Sequence, residues 1–404
     1  MEQPGFFDQD TLVSVMTLAP LDSALDYRAP EGGCHLGAYV EVPLGPRKVL
    51  GVVWGTGRGD YDPSKIRAVL RVLDVVPMRA ELQSFLERGA DYTMTPRPAM
   101  LRLATRVPGL SNPPSMRKIY RPGIQQLSRM TDARRRVLET FQSYGGLAFT
   151  LKELADIAGV SPTVIKGMVA LGAVQEEDTP HDLPFARLNT EYAQTNLTPD
   201  QDSAAAALIT GLKAQNYGTT LLKGVTGSGK TEVYLEAVAE CLRQSRQALV
   251  LLPEIALTAE FLDRVETRFG TRPAEWHSGV TLTERRRVWK MVGQGGAQMV
   301  IGARSALFLP YQNLGLIVVD EEHDSSYKQE DGVLYNARDM AVLRASICGA
   351  RVVLASATPS LESWANAEAK KYQYVELSSR FGAAVMPKLG TIDMRAEPLP
   401  AGRW

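Results

Sequence analysis

Along the first hundred residues apolar and polar positions alternate in short runs, at 12–18, 38–43 and 49–54, separated by Gly32, Gly33, Gly37, Gly45 and Pro46. A period of two between turn residues predicts strands, so residues 1–108 are expected to form a β-rich domain. From 102 to 136 the pattern changes. Nine basic residues (Arg102, Arg106, Arg117, Lys118, Arg121, Arg129, Arg134, Arg135 and Arg136) face one acid, Asp132, with prolines at 108, 113, 114 and 122, which reads as a basic linker running into a helix. Thr131-Asp132 ahead of Val137, Leu138 and Phe141 is a helix start. Helical spacing at 151–158, the turn Gly159-Val160-Ser161-Pro162 and a further stretch at 164–171 give the outline of a helix-turn-helix. The acidic, proline-flanked residues 176–182 predict a second boundary between 180 and 196. Beyond it, β-branched or leucine-rich runs at 219–222, 248–252, 299–301, 316–319 and 351–354 alternate with amphipathic stretches such as 232–242 and 259–269, which predicts a parallel α/β sheet. The expected division is 1–108, 109–185 and 190–382, with 383–404 left over.

Composition narrows the class. The chain has 404 residues, 45% of them hydrophobic, and 45 basic residues balance 45 acidic ones. Global charge therefore gives no argument for a polyanionic partner, and any such partner binds a local patch. Three widely spaced cysteines, Cys34, Cys241 and Cys348, build neither a disulfide framework nor a Cys-x-x-Cys zinc site. Glu2, Asp8 and Asp10 stand where a leader would be basic, and no window holds 18 uninterrupted apolar residues. A soluble, cytoplasmic protein with no membrane partner is expected.

Gly224-Val225-Thr226-Gly227-Ser228-Gly229-Lys230-Thr231 satisfies G-x-x-x-x-G-K-[ST] between an apolar run and an amphipathic helix. The glycines let backbone N–H groups wrap a phosphate chain at a helix N-terminus, with Ser228 and Glu232 beside them. Lys230 would contact the β- and γ-phosphates and the Thr231 hydroxyl would ligate Mg²⁺. About ninety residues on, the apolar run 316–319 ends in Asp320-Glu321-Glu322-His323. That places Asp320 beside the metal and Glu321 where it can polarise a water. ATP and Mg²⁺ are the expected cofactors, with Lys230, Asp320 and Glu321 as the catalytic set.

The Asp-Glu-Glu-His run resembles the acid box of superfamily 2 helicases, and other segments agree in order. Residues 253–258 are similar to motif Ia, 302–308 to the next DNA-facing segment, and Ser356-Ala357-Thr358-Pro359 to motif III, while Gln201 in Thr198-Pro199-Asp200-Gln201 occupies the place of an adenine-reading glutamine. Together with His277-Ser278-Gly279 and 320–328 they resemble the primosomal replication-restart helicases. The resemblance extends to Leu25-Asp26-Tyr27, Pro30-Glu31-Gly32, Val42-Pro43-Leu44-Gly45 and Gly51-Val52-Val53. It implies a β-rich DNA-binding domain, a winged-helix domain and a RecA-like P-loop lobe. Asp26 and Tyr27 would line a pocket for a 3′ DNA end, with Ala90-Asp91-Tyr92 packed beneath, and Arg304, Tyr327, Lys328, Tyr335 and Arg338 would face DNA. His323 would couple the nucleotide to the following loop. The implied partners are forked and single-stranded DNA with a 3′ end, single-stranded-DNA-binding protein and replicative-helicase loading proteins.

Read alone, Asp26 is an acid in a turn, where such side chains commonly bond backbone, and Arg285-Arg286-Arg287 reads as an exposed helical turn. Trp54, Trp289 and Trp364 read as core or rim. The sequence departs from the family in three places. The family continues into a second RecA-like lobe, carrying an arginine for ATP hydrolysis, and a cysteine-rich zinc region; here 387–395 looks like that lobe's first strand and the sequence stops at Trp404. Val333, Leu334 and Asn336 stand where the family has Trp, Arg and His in a DNA-sensing loop, and Ala303 where it has Thr. Weak hydrolysis, no unwinding and no zinc site are expected of the chain as given. The readings are a 3′→5′ restart helicase, a fork-binding scaffold that is not a motor, and a small-molecule kinase, for which no lid segment speaks.

Overall fold

Strand grammar near the N-terminus produces a five-stranded antiparallel sheet ordered Leu25–Arg28, Leu12–Thr17, Arg47–Thr56, Tyr39–Leu44 and Arg71–Val72. A computed structural model describes residues 5–378 and Gly390, apart from 22, 108, 111, 113–115, 126, 194, 195, 254, 255 and 257. Most of 387–395, three residues of 253–258 and nearly all of 383–404 thus lie outside the described residues. One apolar face of the small sheet, with Val13, Val15, Tyr27 and Val42, has its own core. Met16, Tyr39 and Val52 belong instead to the core shared with the large lobe.

The β-rich expectation for 1–108 ends at Val72. Residues 80–105 form two helices, Ala80–Thr93 and Arg97–Thr105. Leu82, Phe85, Leu86, Gly89 and Ala90 recur at helical spacing and are buried. They pack on the large lobe, where Phe85 meets Phe308 at 5.5 Å and Trp289 Nε1 donates to Ala104 O at 2.9 Å.

The middle unit is built on Asp132–Ser143, Leu151–Ala158 and Pro162–Ala170. Thr150 and Glu153 form a reciprocal cap on the second helix, and Gly159 ends it at φ 60°. The basic stretch is not a linker throughout. Met116–Pro122 is a strand paired antiparallel, over its whole length, with Val174–Pro180, the acidic run read as a boundary. The backbone ladder holds the two together, and two exposed charge pairs cross it: Lys118 with Glu176, and Arg121 Nε 3.1 Å from Glu177.

The large lobe carries a parallel sheet of seven strands ordered Ala274–Trp276, Met299–Gly302, Gln247–Leu251, Leu314–Val319, Arg351–Ser356, Gly218–Gly224 and Gln373–Leu377. In the central strands successive residues serve opposite cores, which is why the runs at 248–251, 299–301 and 316–319 are apolar throughout rather than alternating. Leu221, Leu249 and Ile317 face one side, and Leu222, Ala248 and Leu316 the other. Helices Ala80–Thr93 and Ala337–Cys348 cover the first face; Pro199–Lys213, Lys230–Arg243 and Ala259–Phe269 cover the second.

Arg285, Arg286 and Arg287 are not an exposed turn. Arg286 and Lys290 converge on Asp182, buried beneath them at 3.3 and 3.1 Å. Arg286 also donates to the carbonyls of Gly109 and Asn112, and Arg287 to those of Leu183 and Pro184. One helix, Leu282–Gly293, therefore clamps both connections to the middle unit. Trp289 lies in the core, and Trp54 and Trp364 are only partly buried.

Candidate functional site

The strands at 218–224 and 314–319 flank 351–356, so the loops at their carboxyl ends open onto one cleft. A cavity of about 480 Å³ lies there, lined by Thr226 to Glu232, Asp320 and Glu321, and by Asn196, Gln201 and Arg264. The glycines are required by geometry. A Cβ on Gly224 would come within 2.5 Å of Ser228 Oγ, and Gly229 sits at φ 83° with Gln201 Nε2 2.2 Å from where its Cβ would be. Ser228 Oγ is buried without a partner among the described residues. Lys230, almost fully buried, donates to Gly224 O at 3.0 Å and stands 3.8 Å from Glu321.

Asp320 Oδ2 accepts from Tyr234 OH at 2.9 Å, and Oδ1 from the Glu321 N–H at 3.0 Å. Burial pushes its carboxyl up to about 6, the Tyr234 hydrogen bond opposing and the Glu321 charge adding. The donor set fits Mg²⁺ with a triphosphate: a hard carboxylate, the Thr231 hydroxyl and a P-loop line one cavity. Because Asp320 is raised from 3.8 in the fold, the native state holds a proton that the unfolded chain releases. The stability of the wild type relative to Asp320→Asn should therefore fall as pH rises from about 4 to about 6. Urea unfolding of both proteins across that range reads the difference, and a flat difference would contradict the assignment.

Glu321 adopts φ 44°, a costly conformation for a non-glycine residue, at the start of the turn that aims the acids into the cleft. His323 Nδ1 lies 2.8 Å from Ser356 Oγ, which also accepts from the Thr358 N–H at 3.0 Å. The acid box is thus joined to the Ser-Ala-Thr-Pro segment. Glu322, buried, accepts from the Ser360 N–H at 2.7 Å, from the Ser360 and Ser363 hydroxyls at 2.9 Å, and from Arg338 at 3.4 Å.

Gln201 enters the cavity wall, with its amide partly engaged. Oε1 accepts from the Thr198 N–H in a helix cap, and Nε2 donates to Ser228 O at 2.8 Å. Sequence reasoning missed Tyr234 and Arg264; the first looks like a core residue and the second like a surface one.

Three side chains expected to face DNA are inside the fold. Tyr327 is buried, its hydroxyl donating to Asp320 O at 2.6 Å, so it braces the acid box from below. Tyr335 packs edge-on to Phe308 at 5.3 Å. Arg338 is bound to Glu322, Ser360 and Asp339. Lys328 remains exposed, and Arg304 donates to its carbonyl. Asn336 caps helix Ala337–Cys348.

A second cavity, of about 260 Å³, lies on the small sheet and is lined by Leu25, Asp26, Tyr27, Pro43, Leu44 and Gly45, among others. Two separated segments, 25–27 and 43–45, meet there, and Tyr27 OH joins them by donating to Pro43 O at 3.0 Å. The Asp26 carboxylate accepts from the N–H groups of Arg58 and Gly59 at 3.1 and 2.7 Å. Ala90, Asp91 and Tyr92 are not beneath it; they lie on helix Ala80–Thr93, outside the cavity wall.

Among the described residues no helix is long and apolar enough to cross a membrane, and no three His, Cys, Asp or Glu side chains group as metal ligands. The DEAD/DEAH box helicase profile matches residues 198–367, and that of the 3′DNA-binding domain (3′BD) of PriA matches 14–106. "Replication restart protein PriA" of Chlamydia pneumoniae is 34% identical over 413 residues, covering 97% of this chain and 55% of the relative. The Bacillus subtilis protein of that name is 30% identical, covering 96% and 58%. That of Rickettsia felis is 43% identical over 235 residues, covering 57% and 36%. The chain thus spans little more than half the length of the relatives that it matches end to end.

Proposed function

The chain belongs to the replication restart protein PriA family, and from that premise we propose that it binds ATP·Mg²⁺ and recognises forked DNA so that a replisome can be reloaded. The observation that carries this reading is the presence in one chain of a P-loop cavity facing an acid box and of a second, Asp26-lined cavity on the domain matched to 3′-DNA binding. Lys230 would hold the β- and γ-phosphates, Thr231 and Asp320 the metal, Glu321 an attacking water, and Gln201 the base. Bound Mg²⁺ would supply neutralisation of phosphoryl charge. The basic helix-turn-helix unit, read as a winged helix, would follow the duplex through phosphate contacts. Single-stranded-DNA-binding protein and helicase-loading proteins would be partners in the cytoplasm.

In the second cavity the Asp26 carboxylate keeps lone pairs beyond those taken by Arg58 and Gly59, and they suit a terminal 3′-hydroxyl donor. A fork ending in a leading-strand 3′-hydroxyl should bind roughly tenfold or more tightly than the same fork ending in a 3′-phosphate, since an anion in place of the donor meets the carboxylate. Both affinities should fall steeply with salt. Fluorescence anisotropy with the two forks at one ionic strength decides, and equal affinities would remove the 3′-end reading.

A fork-binding scaffold without motor activity is a second reading, favoured by the burial of Tyr327, Tyr335 and Arg338 away from any DNA-facing surface. Displacement of the lagging-strand arm in an unwinding assay selects the motor over the scaffold.

A further inference from the structure

The P-loop and acid box account for the phosphate side of the large cavity. Asn196, Gln201 and Arg264 form the rest of the wall and come from segments on the sheet face covered by the 199–213, 230–243 and 259–269 helices. No aromatic ring is among the described residues lining this cavity. A nucleobase gains by stacking its face on a flat partner, and a guanidinium plane is one of the few side-chain groups that supplies one. We infer that Arg264 is that partner, stacking on the base of the nucleotide; the inference rests on the P-loop reading above.

The placement of Arg264 is built into the packing. Helices Ala259–Phe269 and Lys230–Arg243 are joined by two rungs one turn apart. The inner rung is Arg268 with Glu236, at 2.8 and 3.2 Å, and Arg268 also donates to Thr190 O at 2.9 Å. It is buried and fixes the register of the two helices. The outer rung is Arg264 with Glu232 at 3.6 Å, at the cavity mouth, and Glu260 stands 4.0 Å from the same guanidinium. Two carboxylates therefore hold the guanidinium at the mouth by charge, at distances longer than hydrogen bonds, while the Arg264 side chain stays 45% exposed. That exposure, at a residue lining the cavity, leaves room for a base against the guanidinium. Because the inner rung sets the helix register, replacing Arg264 removes the plane without moving the P-loop.

The test separates base from phosphate. Affinities for ATP and for inorganic tripolyphosphate, each with Mg²⁺, are measured by calorimetry on the full chain and on Arg264→Ala and Arg264→Lys. Expected are an approximately tenfold loss for ATP in the alanine variant, no change for tripolyphosphate, and a loss in the lysine variant as large as in alanine, since lysine keeps the charge but not the plane. An unchanged ATP affinity, an equal loss for both ligands, or full retention by lysine would each overturn the inference. Failure of the wild-type chain to bind tripolyphosphate would bring down the P-loop reading and the inference with it.

Discussion

On the function proposed above, Lys230→Ala should remove ATP binding while leaving the fold as stable as before. The two halves of this expectation have separate causes. The Lys230 ammonium makes one hydrogen bond, to Gly224 O, and stands 3.8 Å from Glu321, so it is held at the cavity with most of its donor capacity unused. Deleting it also deletes a nearly buried charge, which costs the fold little or nothing. With a triphosphate present the same ammonium would make charge-assisted hydrogen bonds, each worth about 1.5–3 kcal/mol, and two such bonds correspond to roughly 100-fold or more in affinity. Calorimetry with ATP·Mg²⁺ and urea unfolding on the same preparations check both halves. Retained affinity would show that the glycine-rich turn is structural, and a large loss of stability would show that Lys230 is a core residue.

How far the molecule was legible before its structure varies by element, and for physical reasons. The strands at 247–251 and 314–319 were plain in the sequence because burial on both faces leaves a nearly continuous apolar run, and 218–224 showed through its shorter run of β-branched and leucine residues at 219–222. The P-loop was plain because its chemistry is local: eight consecutive residues carry both the turn and the ligands. The strands Met116–Pro122 and Val174–Pro180 were hidden. Few of their side chains are buried, Ile119, Tyr120 and Val174 among them, so no alternation survives to announce the ladder between them. Helices Ala80–Thr93 and Arg97–Thr105 did carry a helical pattern, which the strand grammar ahead of them obscured. Tyr327 and Arg338 were expected at DNA through the resemblance to a family whose loop after the acid box senses DNA; their burial depends on Asp320 and Glu322 needing partners, a three-dimensional fact. Arg264 was invisible for the opposite reason, since an arginine on a helix rich in glutamate reads as solvated.

The Glu322 network leads to the second large effect. Glu322→Ala should cost about 3–5 kcal/mol of stability, the range for breaking a buried ion pair by removing one member. The carboxylate gathers four donors, and its loss strands the Ser363 hydroxyl and the Ser360 N–H, while Arg338 keeps Ser360 Oγ at 2.6 Å, Asp339 at 2.9 Å and the exposed Glu362 at 3.6 Å. Arg338→Ala should cost less, because Glu322 would keep its three serine donors. The double variant should lose less than the sum of the two, since no uncompensated buried charge remains. Urea unfolding of the three proteins measures the coupling. Strict additivity would mean that Glu322 and Arg338 act independently, and that Glu322 joins the acid box to helix Leu361–Glu368 through Ser360 and Ser363 without help from the arginine.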